Sequence, residues 1–137
     1  MSKLAVHLIR NTVDVATSKT LTAADQGIVQ NVIVDNITIT LPATSVGFAY
    51  TIRNGGAKIS AAAAAGTGSD GTVGITVVPQ SADAISGLSF VATAGKGAVD
   101  VKATSKVGDE ITVVASGTAG AVAWSVREAF GIWTRQA

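Results

Sequence analysis

The sequence predicts an all-β protein, an antiparallel β-sandwich or barrel of about eight to ten short strands that follows an extended N-terminal arm. Short runs of alternating apolar and polar side chains recur about every 8–12 residues, with glycine, asparagine, aspartate or proline between them. No long apolar pattern of period 3.6 is present, so no helical framework is expected. A chain of 137 residues is long enough for one domain with a real core.

We predict that residues 1–18 form the arm and that residues 19–137 form a single β domain. Residues 3–9 and 12–15 are compatible with strands, and both faces of the earlier segment are apolar. Such a strand is typical of a sheet interior or of an arm clamped against a neighbouring subunit. The side chains that we expect to make this contact are Leu4, Val6, Leu8 and Ile9.

A single helical turn is expected next, where Thr22 could cap the segment that Gly27 ends. The strand Ile28–Val34 leads into the stretch Asn36–Gly56, which predicts the central part of the fold. There, alternation runs up to Pro42, which has no N–H for a sheet, and resumes after a glycine. We expect a hairpin with a long connection. The residues predicted to form its inner face are Ile37, Ile39, Leu41, Phe48, Tyr50 and Ile52.

The alanine- and glycine-rich residues 61–74 predict an exposed loop. A further strand follows and ends at Pro79, so that ITITLPATSVG and ITVVPQSADAISG share a layout of strand, proline, polar residues and glycine. A single weak echo does not establish a repeat. The remaining predicted strands centre on Leu88–Phe90, Val99–Val101, Ile111–Val114, Val122–Val126 and Ala129–Thr134.

Composition excludes several classes of function. Ten basic and nine acidic residues give a net charge of +1, which argues against binding of nucleic acid or an anionic membrane. The absence of cysteine excludes disulfides and thiolate zinc sites. Only 14% of residues are charged, against roughly 25% in ordinary soluble domains. We therefore expect other subunits to cover part of the surface.

Chemical motifs are weak throughout. His7 is the only histidine, so a two-histidine metal site is excluded. The acidic residues have no calcium-loop spacing, and Gly95-Lys96-Gly97 lacks the surroundings of a phosphate loop. A pair of carboxylates for glycoside hydrolysis would require two residues distant in sequence to meet. We predict no catalytic, cofactor-binding or metal-binding residue and no enzymatic activity.

Three aromatic residues lie close to the C-terminus. Trp124 shares a strand face with apolar neighbours, which predicts a core position. Trp133 follows Ile132, so one of these two side chains should point away from the core. Trp133 is thus predicted either to lie in the core or to anchor a subunit interface, with Arg135 in the polar rim.

The strings ITITLPATSVGFAYTIRNGG, ITVVPQSADAISG and GDEITVVASGTAGAVAWSVREAFGIW resemble small β-rich structural proteins of tailed bacteriophages. The resemblance is to capsid decoration (cement) proteins and to tail-fibre or spike modules, and it covers roughly residues 19–135. It implies a virion protein that is made in the host cytoplasm, binds the major capsid protein on the capsid exterior and stabilises the lattice. It also implies a homo-oligomer, with a homotrimer favoured and a homodimer possible, and no cofactor.

The alternative function is a fibre, spike or receptor-binding module that recognises a host-surface glycan. It would need an exposed aromatic or polar groove, for which Tyr50 and Trp133 are the candidates.

Overall fold

A computed structural model describes residues 11–57, 73–87 and 91–137, and these ranges form strands and one short 3-10 helix, Ala23–Asp25. The all-β prediction is therefore confirmed, and no helix in these ranges is long and apolar enough to cross a membrane. The strands are β1 (Asn11–Val15), β2 (Lys19–Thr20), β3 (Ile28–Val32), β4 (Ile37–Thr40), β5 (Ala49–Asn54), β6 (Ile75–Val78), β7 (Ile85–Ser86), β8 (Ala98–Asp100), β9 (Glu110–Ala115), β10 (Trp124–Phe130) and β11 (Trp133–Arg135). Most of the predicted arm, most of the predicted loop and the predicted strand at Leu88–Phe90 lie outside the described residues.

The strands form two mixed sheets, in the orders β1-β3-β5-β9-β10-β7 and β11-β8-β6-β4-β2. The first six strands alternate between the sheets, and each of β3 to β6 pairs in parallel with the strand two before it. The later strands β8 to β11 pair antiparallel, whereas β7 runs parallel to β10. The prediction of purely antiparallel sheets is wrong, because each crossing to the other sheet and back returns the chain in the same direction. Neither sheet of the described residues closes into a barrel.

The predicted central hairpin is also absent. The two strands of this stretch, β4 and β5, lie in different sheets. Because β2 occupies one edge of β4 and β6 occupies the other, β4 has no edge left for β5. Pro42 lies just beyond β4, in the connection that crosses to the other sheet.

The echo noticed in the sequence corresponds to adjacent parallel strands. Ile37 and Thr38 lie opposite Ile75 and Thr76 in the register of β4 with β6. The pairing continues beyond the strands, since the Leu41 N–H donates to the Val78 carbonyl at 2.8 Å. The two strings are thus successive passes of the chain through one sheet.

One apolar cluster contains buried side chains from both sheets. The predicted inner face of the central stretch is confirmed, since five of its six residues are buried and Phe48 packs against the cluster. Trp124 is fully buried, with its ring 5.8 Å from that of Tyr50. The Tyr50 hydroxyl donates to the Thr22 carbonyl at 2.9 Å, which ties the core to the predicted turn before Gly27. Full burial of each large apolar side chain stabilises the fold by about 1.5–3 kcal/mol.

We predict that Gly97→Ala destabilises the protein by about 2–4 kcal/mol, because the added Cβ would overlap the Val77 carbonyl group of the neighbouring strand. Gly74→Ala is the matched control, since the nearest atoms to its added Cβ lie at 3.5 Å, an ordinary contact. Urea denaturation of both variants measures the difference. Equal stability of the two variants would contradict the packing of β6 against the start of β8.

Candidate interaction surface

Several connections between the sheets lie at one end of the molecule, which we call the crossover end. Arg53, next to the last residue of β5, pairs with Glu110 at the start of β9, and Glu110 pairs with Phe130 at the end of β10. In the other sheet, Asp100 at the end of β8 pairs with Trp133 at the start of β11. The connections from β5 to β6, from β8 to β9 and from β10 to β11 therefore all start or finish here.

Asn54, the last residue of β5, links these connections. Its side chain is completely buried, and both its main-chain groups and its carboxamide form hydrogen bonds. The five bonds are from Asn54 N to the Asp109 carbonyl (2.7 Å), from Gly108 N to the Asn54 carbonyl (2.8 Å), from Nδ2 to the Val73 carbonyl (3.1 Å), from Nδ2 to Asp100 Oδ2 (3.2 Å) and from Gly56 N to Oδ1 (3.0 Å). A single amide thus satisfies groups from both sheets that would otherwise be buried without partners.

Asp100 and Asp109 lie beside this amide as neighbouring buried carboxyl groups. Their exposed fractions are 0% and 6%. Burial raises the pKa of Asp100 to about 7, the hydrogen bond from Asn54 opposes this rise, and the hydrogen bond and charge of Asp109 add to it. Asp109 also accepts a hydrogen bond from the Lys106 main-chain N–H at 2.8 Å. Carboxyl groups in hydrogen-bond contact are closer together than the pairs that hydrolyse glycosides.

The turn between β10 and β11 passes directly over Asp109. Gly131 has φ +92°, and a Cβ at this position would overlap the Asp109 carboxyl group, so only glycine fits. The indole N–H of Trp133 donates to the Phe130 carbonyl at 3.0 Å and closes the turn. Phe130 and Ile132, on either side of the glycine, are left 59% and 57% exposed.

Val101 and Val107, in the connection from β8 to β9, are exposed at the same end. We call these two valines, Phe130 and Ile132 the crossover patch. In the described ranges the other exposed large apolar side chains are all valines: Val13, Val46, Val91 and Val122. The two largest apolar side chains on the described surface therefore lie together at the crossover end, and exposed apolar groups concentrated in this way often mark interaction sites.

Two cations at the crossover end have partners within the domain. Lys102 forms an ion pair with Asp35, which also accepts a hydrogen bond from Gly74 N at 2.8 Å. Although burial acts in the opposite direction, these bonds lower the pKa of Asp35. Arg53 donates to Asn31 Oδ1 at 3.0 Å. The Lys102 and Arg53 side chains are therefore engaged by groups of the domain itself.

The predicted interface residues are distributed as follows. Trp133 is 7% exposed and belongs to the buried cluster, while its neighbour Ile132 is the outward-pointing member of the pair. Arg135 is exposed, and its guanidinium donates to the Thr93 hydroxyl at 2.9 Å. The remaining predicted residues, Leu4, Val6, Leu8 and Ile9, lie outside the described residues. Val101 and Val107 were missed, since a single valine before a turn gives no sequence signal of exposure.

The opposite end offers a different surface. An open depression of about 320 Å³ there is lined by small and polar residues, among them Thr44 and Asp83. Asp83 accepts a hydrogen bond from Gly120 N at 2.9 Å, so the carboxylate helps to hold the loop. The described residues contain no group of three or more potential metal-binding side chains.

We predict that Asn54→Ala destabilises the protein by about 2–4 kcal/mol, because the Val73 carbonyl, Gly56 N–H and Asp100 carboxyl all lose a buried partner. Asn31→Ala is the control, since that side chain bonds only partly buried groups on the sheet face. We expect a loss of about 1 kcal/mol for the control. Guanidinium denaturation of the two variants makes the comparison, and equal losses would contradict the linking role of Asn54.

Comparison of the chain with protein-family models, with curated proteins and with solved structures gives no significant match in any of the three.

Proposed function

We propose that the chain is a structural virion protein that binds the major capsid protein on the outside of an assembled capsid and stabilises the lattice as a homo-oligomer. In this proposal the protein has no catalytic group and no cofactor, and it binds neither nucleic acid nor a membrane. The observation that supports it best is the crossover patch, an exposed apolar surface on a tightly bonded frame. The proposal also agrees with the resemblance of the sequence to decoration proteins.

The size of the patch favours binding through several copies. Phe130 and Ile132 are slightly more than half exposed, so burying either side chain would contribute roughly half of the ~1.5–3 kcal/mol of a fully exposed one. The whole patch would then contribute a few kcal/mol, whereas association costs about 4–15 kcal/mol. A single copy would bind weakly. An oligomer that places several patches on neighbouring capsid subunits would bind much more tightly through effective concentration.

The frame beneath the patch keeps the cost of binding low. The turn that carries Phe130 and Ile132 is fixed by Gly131 against Asp109 and by the Trp133 hydrogen bond. A surface that is already held in place loses little conformational entropy when it binds. We also propose that the two sheets face each other as a sandwich, because one buried cluster takes side chains from both.

The N-terminal arm is proposed to be shorter than residues 1–18. Residues 11–15 form β1, which pairs with β3 over its whole length, and Val15 is buried. We therefore assign the arm to residues 1–10, whose apolar side chains would contact a neighbouring subunit.

The alternative function, recognition of a host-surface glycan, has less support. Its two aromatic candidates, Tyr50 and Trp133, have exposed fractions of 1% and 7% and so offer no surface on which a sugar could stack.

We predict that the double substitution Phe130→Ser and Ile132→Ser lowers the affinity for capsids at least tenfold. A loss of about 1.4 kcal/mol of binding free energy from the two side chains together is enough for that change. Co-sedimentation with capsids of the encoding phage, prepared without this protein, measures binding. The control is Val46→Ser with Val122→Ser, which removes exposed apolar groups from the opposite end. Loss of binding in the control alone would contradict the proposal and place the docking surface at the opposite end. Binding to host cells but not to capsids would favour recognition of a host-surface glycan.

We predict that deletion of residues 2–10 also weakens capsid binding while the domain stays folded, because β1 and its pairing with β3 are retained. Co-sedimentation measures binding, and circular dichroism with light scattering checks the fold and the oligomer. Unchanged binding by the truncated protein would exclude the arm from the capsid contact.

A further inference from the structure

We propose that Asp100 and Asp109 hold one proton between them, and that this proton keeps the turn bearing Phe130 and Ile132 in its folded position. The shared proton would make the order of the crossover patch depend on pH. The patch's part in capsid binding rests on the proposed function, but the proton and its effect on the turn do not.

The hydrogen-bond partners of the two carboxyl groups point to the proton. Asn54 Nδ2 donates to Asp100 Oδ2, and the Lys106 main-chain N–H donates to Asp109 Oδ2. Asp100 Oδ1 is buried and receives no hydrogen bond from an N–H or hydroxyl group. Its carboxyl group is nevertheless a hydrogen-bond neighbour of Asp109. A proton on Asp100 Oδ1 would donate to the Asp109 carboxylate and give this oxygen its partner, whereas two carboxylates have no donor between them.

The charged groups packed nearby do not replace the proton. Lys102, which follows Asp100 closely in the sequence, forms an ion pair with Asp35. Lys102, Asp35 and Asp100 line the same shallow depression. Arg53 and Glu110 are cross-strand neighbours on β5 and β9. Two ion pairs of the described residues, Lys19–Asp25 and Lys102–Asp35, include neither carboxyl group of Asp100 and Asp109. Two buried carboxylates side by side would repel each other strongly.

Loss of the proton would act directly on the turn. The repulsion would drive the two carboxyl groups apart, but Gly131 lies so close to the Asp109 carboxyl group that even a Cβ does not fit. Movement of Asp109 in that direction therefore displaces Gly131 together with Phe130 and Ile132. The Trp133 indole bond and the strand pairs on either side hold the backbone at this turn.

The expected pH dependence follows from the pKa of Asp100, which burial raises from an ordinary value of 3.8 to about 7. Between these values the folded protein holds a proton that the unfolded chain has lost, so stability decreases as pH rises and levels off above the folded pKa. The stabilisation of the folded state by this pair has its full value below about pH 4. Between pH 5 and pH 8 we expect the equilibrium constant for unfolding to rise by roughly tenfold to a hundredfold from this pair.

The test compares the wild-type protein with Asp100→Asn by urea denaturation at several pH values from 5 to 8. The introduced amide can donate to Asp109 at every pH, so the variant should lose the pH dependence that the wild type shows and match its stability at pH 5. Asp35→Asn is the control, because it removes a nearby carboxylate but leaves the pair and should keep the wild-type slope. Hydrogen exchange at the Gly131 amide should quicken with pH, beyond the intrinsic rate, in the wild type and in Asp35→Asn but not in Asp100→Asn.

A second measurement is independent of any variant. In the wild-type protein the carboxyl carbon of Asp100, followed by NMR, should titrate well above pH 5. A midpoint near 4 would overturn the proposal, as would equal pH slopes in the wild type and Asp100→Asn. Because no capsid is used, failure here would leave the proposed function standing, and failure of capsid binding would leave the shared proton standing.

Discussion

The contact of Asn54 with Asp100 and Asp109 is the interaction on which the crossover end depends. Where a chain crosses between two sheets, every backbone polar group that becomes buried needs a partner. The Asn54 carboxamide supplies partners to the end of β8 and the chain segment before β6, and the Asn54 main chain bonds the segment that leads into β9. Removing one partner from such a network costs more than its formation contributes, because the remaining groups stay buried.

This network also accounts for the character of the outer surface. Asp109 supports the Gly131 turn, and that turn carries the two largest apolar side chains exposed in the described part of the chain. Asp35 engages Lys102, one of the cations at this end. A rigid, apolar surface suits attachment to another protein, which is the role we propose, and a chain with 14% charged residues agrees with it.

Alternation in the sequence predicted which side chains are buried, as at Ile37, Ile39 and Tyr50, because a strand has the same period of two in any sheet. For the same reason it could not predict strand direction. The one clue to parallel pairing was the likeness of ITIT and ITVV, now found side by side in register. The meeting of Asp100 and Asp109 was not predictable, since the two residues are brought together by strands of different sheets. The exposure of Val101 and Val107 likewise depends on how the connections pack.

We propose that the protein acts through the crossover end as an apolar contact surface and not through a reactive group. Hydrogen–deuterium exchange of the protein, free and bound to capsids, is the experiment that decides this. We expect added protection at residues 101–109 and 130–133 on binding, with little change around Val46 and Val122. Protection confined to the end that carries Val46 and Val122, or no protection at either end, would contradict it.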